Sequence, residues 1–119
     1  MNALIAVVGV SGDASKYGHR ILRDLLKAGY PAKGVNPRGG FVLGCNIYKS
    51  LAEIEKRPDI VITAVPPAVT LQVIEECNKL GIKEVWMQPG SESPAALEKA
   101  RGYGIKAVAA CFMASHGVW

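Results

Sequence analysis

The sequence has 119 residues, half of them hydrophobic, and a formal net charge of +4 at pH 7. This length suits one domain spanning residues 1–119. We expect a cytoplasmic protein, since no apolar run could span a membrane and the first residues lack the basic segment of a signal peptide. The dispersed positive charge argues against nucleic acid and suits a small anionic ligand.

Three cysteines, Cys45, Cys77 and Cys111, form an odd set without CxxC spacing. A secreted disulfide framework is therefore not expected. A zinc site is not expected either, because the only histidines, His19 and His116, lie at no ligand spacing from a cysteine. We predict three reduced thiols and place Cys77 in the core.

The first half of the chain begins with a continuous apolar run, Leu4–Val8, which is typical of a strand buried on both faces. Residues 17–28 alternate apolar and polar positions with helical spacing, and Gly29 stands where a helix would end. A short strand at Lys33–Val35 and a weaker extended segment at Phe41–Tyr48 follow.

The second half opens with Ser50–Glu53, which matches the capping-box pattern and predicts a short helix with Ser50 as its cap. Asp59–Val65 is an apolar, β-branched run and predicts a strand. Proline at the first helical turn predicts a helix from Pro66–Pro67 to Leu80. The remaining predicted elements are a strand at Ile82–Met87, a helix from Ser93 to about Tyr103 and a strand near Lys106–Ala109.

Alternating strands and helices predict an α/β protein with a doubly wound, mostly parallel sheet of about five strands, which is a Rossmann-like fold. In such sheets the ligand lies beyond the carboxyl ends of the strands, where strand order reverses. The loops Gly9–Gly18, Asn36–Gly40 and Val65–Thr70 follow predicted strands. These three loops are therefore the candidate ligand site.

The first loop has the features of a phosphate-binding turn. Gly9 permits a tight turn off the strand, and the N–H groups of the following helix can hold a phosphate. Ser11 adds a hydroxyl, Lys16 adds a charge, and Gly18 lets the helix approach the sheet. The loop matches neither GxGxxG nor the P-loop, so alone it also fits an ordinary turn.

The second loop separates classes of cofactor. An NAD site usually carries an acidic residue here, whereas this chain has Asn36-Pro37-Arg38. Arg38 can pair with an extra ribose phosphate, which coenzyme A (CoA) has at its 3′ position and NADP at its 2′ position. In the third loop, Pro66-Pro67 forms either an apolar wall for a ligand or simply a helix start.

Several motifs along the chain resemble, in order, the family of stand-alone CoA-binding domains. They are Val8–Ser11, Lys16–Gly18, Gly29-Tyr30, Val35–Arg38, Asp59–Val61, Val65-Pro66, Gly81-Ile82, Val85–Gly90 and Cys111–Met113. The sequence departs from the family at Ala109-Ala110, where polar or charged residues are common. The resemblance implies CoA as cofactor, bound by Gly9, Val10, Ser11, Lys16, Tyr17, Asn36, Pro37, Arg38, Val65, Pro66 and Pro67.

The sequence offers no convincing catalytic set. His116 stands beside Ser115 in a segment expected to be mobile, and His19 is expected at a surface helix position. We therefore favour a CoA-binding carrier, sensor or regulatory module over an enzyme. An NADP-dependent oxidoreductase and a degenerate Rossmann interaction domain remain alternatives, and a homo-oligomer or protein partner stays open. Cys45 or Cys111 could form a mixed disulfide with CoA.

Overall fold

The computed structural model of this protein describes residues 3–119. In chain order the elements are β1 (Ile5–Val8), α1 (Tyr17–Lys27), β2 (Ala32–Val35), β3 (Gly40–Val42), β4 (Cys45–Ile47), a 3₁₀ turn (Leu51–Glu53), β5 (Ile60–Thr63), α2 (Pro67–Leu80), β6 (Glu84–Met87), α3 (Pro94–Gly102), β7 (Lys106–Val108) and α4 (Phe112–Ser115). Within this part of the chain, no helix is long and apolar enough to cross a membrane.

Five strands form one parallel sheet in the order β2-β1-β5-β6-β7. The predicted doubly wound, mostly parallel sheet is therefore confirmed. The chain moves outward from β1 to β2 and then crosses back to β5 on the other side of β1. The switch point lies between β1 and β5, and the loops after these strands meet there.

Two apolar layers cover the sheet. On one face, α1 and α4 bury side chains such as Leu22, Leu25 and Phe112 against β1 and β5. On the other face, α2 and α3 bury side chains such as Ile74 and Ala100. Burial on both faces explains why β1 and β5 read as continuous apolar runs rather than as alternating patterns.

The predicted extended segment Phe41–Tyr48 is a separate antiparallel hairpin of β3 and β4. Its turn places Leu43 at φ 55° and Gly44 at φ 76°, the left-handed region that tight hairpin turns require. Tyr48 bridges to Val35, so the hairpin adjoins the edge of the main sheet. The prediction of extended structure was right, but the turn at Leu43 was not foreseen.

The predicted capping box is wrong. Ser50 precedes only a three-residue 3₁₀ turn, and its side chain makes no capping hydrogen bond. In a capping box the Glu53 carboxylate would accept the N–H of Ser50. Here it accepts the N–H of Lys49 instead, at 3.1 Å. Because Pro58 follows closely, the turn has no room to grow into a helix with a regular cap.

Ser93, unlike Ser50, is an N-cap with a side-chain hydrogen bond, and its loss should lower stability. Its Oγ accepts the N–H of Ala96 at 3.1 Å at the start of α3. We expect Ser93→Ala to lower the free energy of unfolding by about 1 kcal/mol in urea denaturation. Ser50→Ala is the matched control, since Ser50 makes no such bond, and its cost should stay within about 0.5 kcal/mol. Equal costs for the two variants would contradict the assignment.

Candidate functional site

Two helix N-termini flank the crevice at the switch point. Helix α1 begins after Lys16 and α2 begins after Pro66, and no side chain caps either one. In contrast, Ser93 caps α3 and Cys111 caps α4. The first-turn N–H groups of α1 are therefore available to an anion. Helix α2 offers the N–H of Ala68, since Pro67 has no N–H and Val69 donates to the Pro66 carbonyl at 2.9 Å. The two helix dipoles also favour an anion here.

Close backbone packing fixes the shape of this crevice. Gly9 has φ +107°, and a Cβ there would overlap the carbonyl oxygen of Ala64 and lie 2.9 Å from Val65 Cγ1. A Cβ at Gly18 would overlap the carbonyl oxygen of Gly9. The structure thus agrees with the tight turn predicted at Gly9 and the close helix approach predicted at Gly18. The loops after β1 and β5 touch as a result.

Short hydrogen bonds order the loop between β1 and α1. Ser11 Oγ accepts the N–H of Asp13 at 3.0 Å, and Asp13 Oδ1 accepts the N–H and hydroxyl of Ser15 at 2.9 and 2.7 Å. These bonds from Ser15 lower the pKa of the Asp13 carboxyl. The Ser11 hydroxyl proton remains available, and Lys16 is exposed at the helix start.

His19 is not at a surface position, contrary to expectation. The residue is only 8% exposed, and its Nδ1 lies 2.8 Å from the carbonyl oxygen of Ser11, so Nδ1 carries the proton and donates it. Because α1 packs directly over the loop at Gly18, the next residue turns inward. His19 therefore fastens the loop to the helix.

Asn36 connects the first and second loops. Its Nδ2 donates to the carbonyl of Val10 at 2.8 Å, and its Oδ1 accepts the N–H of Arg38 at 2.8 Å. The amide thus acts on the protein itself, ordering the turn in which Arg38 is presented. Pro37 and Arg38 are exposed beside it. The buried side chain of Val10 leaves only its backbone near the crevice.

An apolar groove of about 350 Å³, here called the nucleotide groove, opens between α2 and the ends of β1 and β2. It is lined by Val8, Gly9, Val35, Asn36, Pro37, Lys49, Ser50, Val65, Val69, Gln72, Val73 and Glu76. Glu76 is held in place, since its Oε2 accepts the N–H of Ala52 at 3.2 Å. Valine walls with a few polar groups suit a flat, partly polar ring.

A second groove of about 370 Å³, here called the proline groove, lies over the ends of β5 and β6. It is lined by Tyr17, Ala64, Val65, Pro66, Pro67, Pro89, Gly90 and Ser91. Val65 lines both grooves, so they meet at the switch point. A long ligand could therefore lie across the edge of the sheet from one groove to the other.

A polar cluster of Tyr17, Gln88 and Cys111 adjoins the proline groove. Gln88 is fully buried at the end of β6, and its Oε1 accepts the N–H of Phe112 at 2.7 Å. Its Nε2 donates to the Tyr17 hydroxyl at 2.7 Å and to Cys111 Sγ at 3.3 Å. The sulfur also accepts the N–H of Ala114 at 3.4 Å and faces the Tyr17 hydroxyl at a longer 4.0 Å.

These surroundings shift the pKa values of Cys111 and Cys77 in opposite directions. Partial burial raises the pKa of Cys111, but the hydrogen bonds from Ala114, Gln88 and Tyr17 outweigh it, and the net pKa lies below its ordinary value. Burial raises the pKa of Tyr17, which keeps its hydroxyl protonated. Cys77 lies in the core, as predicted, and its burial raises the pKa to about 12.

The structure brings most of the predicted site residues together. Gly9, Asn36, Pro37 and Val65 line the nucleotide groove, whereas Tyr17, Val65, Pro66 and Pro67 line the proline groove. Gln88 was not among the predicted site residues and appeared only within the Val85–Gly90 motif. A polar residue directly after a strand buried on both faces, at a sheet edge where ligands bind, was the available signal.

The segment with His116 does not belong to this crevice. Its ring stacks on Phe112 with centroids 3.8 Å apart, and it lines a shallow depression with Asp24 and Tyr30. The C-terminal residue also contacts α1, since Trp119 Nε1 donates a hydrogen bond to Asp24 Oδ2 at 2.7 Å. Stacking on Phe112 and the bond from Trp119 to Asp24 thus pack this segment against the rest of the fold.

Strand order, two-sided helix packing and a crevice at the switch point place the chain among Rossmann-like α/β proteins. The sequence matches the family described as "CoA binding domain" over residues 3–117. The chain therefore belongs to the CoA-binding domain family, as the sequence motifs had indicated.

Among solved structures, the fold is similar to a conserved hypothetical protein of Pyrococcus furiosus. The two are 37% identical with a TM-score of 0.89, over 95% of this chain and 98% of that one. It is also similar to the apo form of the dinucleotide-forming acetyl-coenzyme A synthetase 1 of Ca. Korarchaeum cryptofilum. There the identity is 30% and the TM-score 0.78, over 88% of this chain and 25% of that one.

Among curated proteins, the chain is 32% identical over 118 residues to the subunit alpha of an ADP-forming acetate–CoA ligase I of Pyrococcus furiosus. The similarity covers 86% of this chain and 26% of that subunit. The chain thus spans about a quarter of the length of this relative.

Proposed function

We propose that this protein binds CoA or an acyl-CoA through the ADP and ribose-phosphate moiety, as a binding, carrier or regulatory module formed by one domain. The observation that carries the proposal is the pair of uncapped helix N-termini at the switch point, on either side of the contact between Gly9 and Ala64. They suit the pyrophosphate of a nucleotide. Family membership supports CoA over other nucleotides.

Each part of CoA has a candidate position. The adenine suits the nucleotide groove, whose walls are mostly valine. The pyrophosphate suits the N-termini of α1 and α2, beside Ser11 and Lys16. The ribose 3′-phosphate suits Arg38, which the Asn36 turn presents at the surface. The pantetheine arm then suits the proline groove, which the ligand would enter at Val65.

The proposal extends to partners and compartment. The Pyrococcus furiosus relative is, by its name, a subunit of an acetate–CoA ligase. By analogy, we propose that a protein partner supplies or uses the acyl group. Residues 3–119 contain no cluster of three or more His, Cys, Asp or Glu that could hold a metal ion. A reducing cytoplasm suits three cysteines that are all unpaired.

Isothermal calorimetry with CoA and NAD tests the proposal. We expect CoA to bind at least about tenfold tighter than NAD, because Arg38 stands where NAD sites usually carry an acid and NAD lacks the extra ribose phosphate. Tighter binding of NAD, or no binding of CoA under reducing conditions, would contradict the proposed function.

A further inference from the structure

The polar cluster of Tyr17, Gln88 and Cys111 lies apart from the nucleotide groove and beside the proline groove. Tyr17 belongs to both, since it lines the groove and its hydroxyl faces Cys111 Sγ at 4.0 Å. Gln88 is a fully buried side chain with both amide ends engaged, and one end is directed at that sulfur. The fold thus holds one half-buried thiol against Tyr17, a residue that lines the groove.

We propose that Cys111 is a thiol–disulfide exchange site for CoA, and that it forms a mixed disulfide with the pantetheine sulfur of CoA bound in the crevice. This inference rests on the proposed function. The ligand class is a disulfide of CoA, which serves as its own oxidant. Cys111 is singled out because its sulfur alone among the three contacts a residue that lines the proline groove, Tyr17, and because it accepts hydrogen bonds that stabilise a thiolate.

The reach from nucleotide to thiol fits the sheet. Neighbouring strands lie about 4.8 Å apart, so the ends of β1 and β6, with β5 between them, are separated by roughly 10 Å. An extended pantetheine arm covers that distance. A pyrophosphate held beyond β1 would therefore allow its thiol end to pass Val65 and Tyr17 and arrive beside Gln88 at the end of β6.

The exchange step is balanced without any further reactant. The Cys111 thiolate attacks one sulfur of a CoA disulfide, a new S–S bond forms to that sulfur, and the old S–S bond breaks. The second CoA leaves as a thiolate and takes a proton from solvent. Hydrogen bonds from Gln88 and Ala114 stabilise the attacking thiolate before the step and release it as the bond forms.

The other two thiols lack these features. Cys77 is fully buried in the core, and its raised pKa leaves almost no thiolate. Cys45 lies in the hairpin of β3 and β4, where its Sγ donates a 3.6 Å hydrogen bond to the carbonyl of Leu43. Cys45 is therefore the matched control for a half-buried cysteine outside the crevice.

Intact-mass analysis of the full chain incubated with CoA disulfide tests the inference, with peptide mapping to locate the adduct. We expect one CoA on the wild type and on Cys45→Ser, located at Cys111, and none on Cys111→Ser. Mapping of the wild type decides the position even if a variant fails to fold. An adduct confined to Cys45, or no adduct on a protein that binds CoA by calorimetry, would overturn the inference while leaving the proposed function intact.

A competition separates a ligand-directed reaction from a merely accessible thiol. Adenosine 3′-phosphate 5′-diphosphate has the nucleotide part of CoA but no thiol. It should slow modification of Cys111 by CoA disulfide at least about tenfold, because binding gives the disulfide a high effective concentration. It should leave modification by 2-hydroxyethyl disulfide nearly unchanged. Equal effects on the two reagents, or none on either, would overturn the inference.

Discussion

Replacing Arg38 with alanine should weaken CoA roughly 10- to 150-fold and leave dephospho-CoA nearly unaffected. Arg38 is exposed and directly follows Pro37, which lines the nucleotide groove, and we expect a charge-assisted pair with the ribose 3′-phosphate to contribute about 1.5–3 kcal/mol. Dephospho-CoA lacks that phosphate, so the substitution removes nothing from its binding. Calorimetry with both ligands measures the difference.

Lys16→Ala is the matched control for Arg38→Ala. Lys16 immediately precedes α1, where we place the pyrophosphate that both ligands keep. Its loss should therefore weaken CoA and dephospho-CoA by the same factor. If Arg38→Ala also costs the same for both ligands, Arg38 does not read the ribose phosphate, and the preference for CoA over NAD loses its physical basis.

Gly9→Ala should lower the free energy of unfolding by at least about 3 kcal/mol. An alanine there must adopt φ near +107°, which costs about 1–3 kcal/mol, and its Cβ overlaps the carbonyl oxygen of Ala64. Backbone atoms cannot move aside as a flexible side chain could, so relief requires β1 and β5 to shift at their ends, which adds a similar cost. Urea denaturation measures the loss.

Gly12→Ala is the control for this prediction, because it lies in the same loop. A Cβ at Gly12 meets nothing within 4 Å, and its φ lies outside the left-handed region. We expect a change within about 0.5 kcal/mol. A Gly9→Ala variant as stable as Gly12→Ala would show that the close contact between the loops after β1 and β5 is not needed for folding.

The sheet could be predicted because its strands are buried on both faces. Val7 and Val61 are fully buried members of β1 and β5, and the continuous apolar runs of these two strands leave little ambiguity. Proline at the start of α2 and glycine at its end made that helix equally clear, with Gly81 at φ +76°. Local sequence and tertiary packing agree at these elements.

Other elements depend on contacts that the sequence does not reveal. The four-residue helix α4 is too short for periodicity to indicate, and it is held by the bond from Phe112 N–H to Gln88 and by buried Met113. The Leu43 turn needs a positive φ at a residue that rarely adopts one. Tertiary context decides both, so neither could be predicted from the local sequence.

Some residues of the candidate site could likewise be predicted from the sequence, and others could not. Glycine and proline at the strand ends marked the crevice, because Gly9 and Pro66 act through their own backbone geometry. The hydrogen bonds from Asn36 to Val10 and between His19 and Ser11 were not foreseen, because each joins a side chain to a backbone carbonyl in another segment of the chain. Side-chain partners across loops cannot be inferred from spacing.

The most direct test is a titration of ¹⁵N-labelled protein with CoA under reducing conditions, followed by amide chemical shifts. We expect saturable shifts concentrated at residues 9–18, 36–38 and 65–67, the loops around the crevice at the switch point. Amides near Asp24 and Tyr30, in the depression beside His116, should stay unchanged. An absence of shifts at millimolar CoA, or shifts centred on that depression, would contradict CoA binding between β1 and β5.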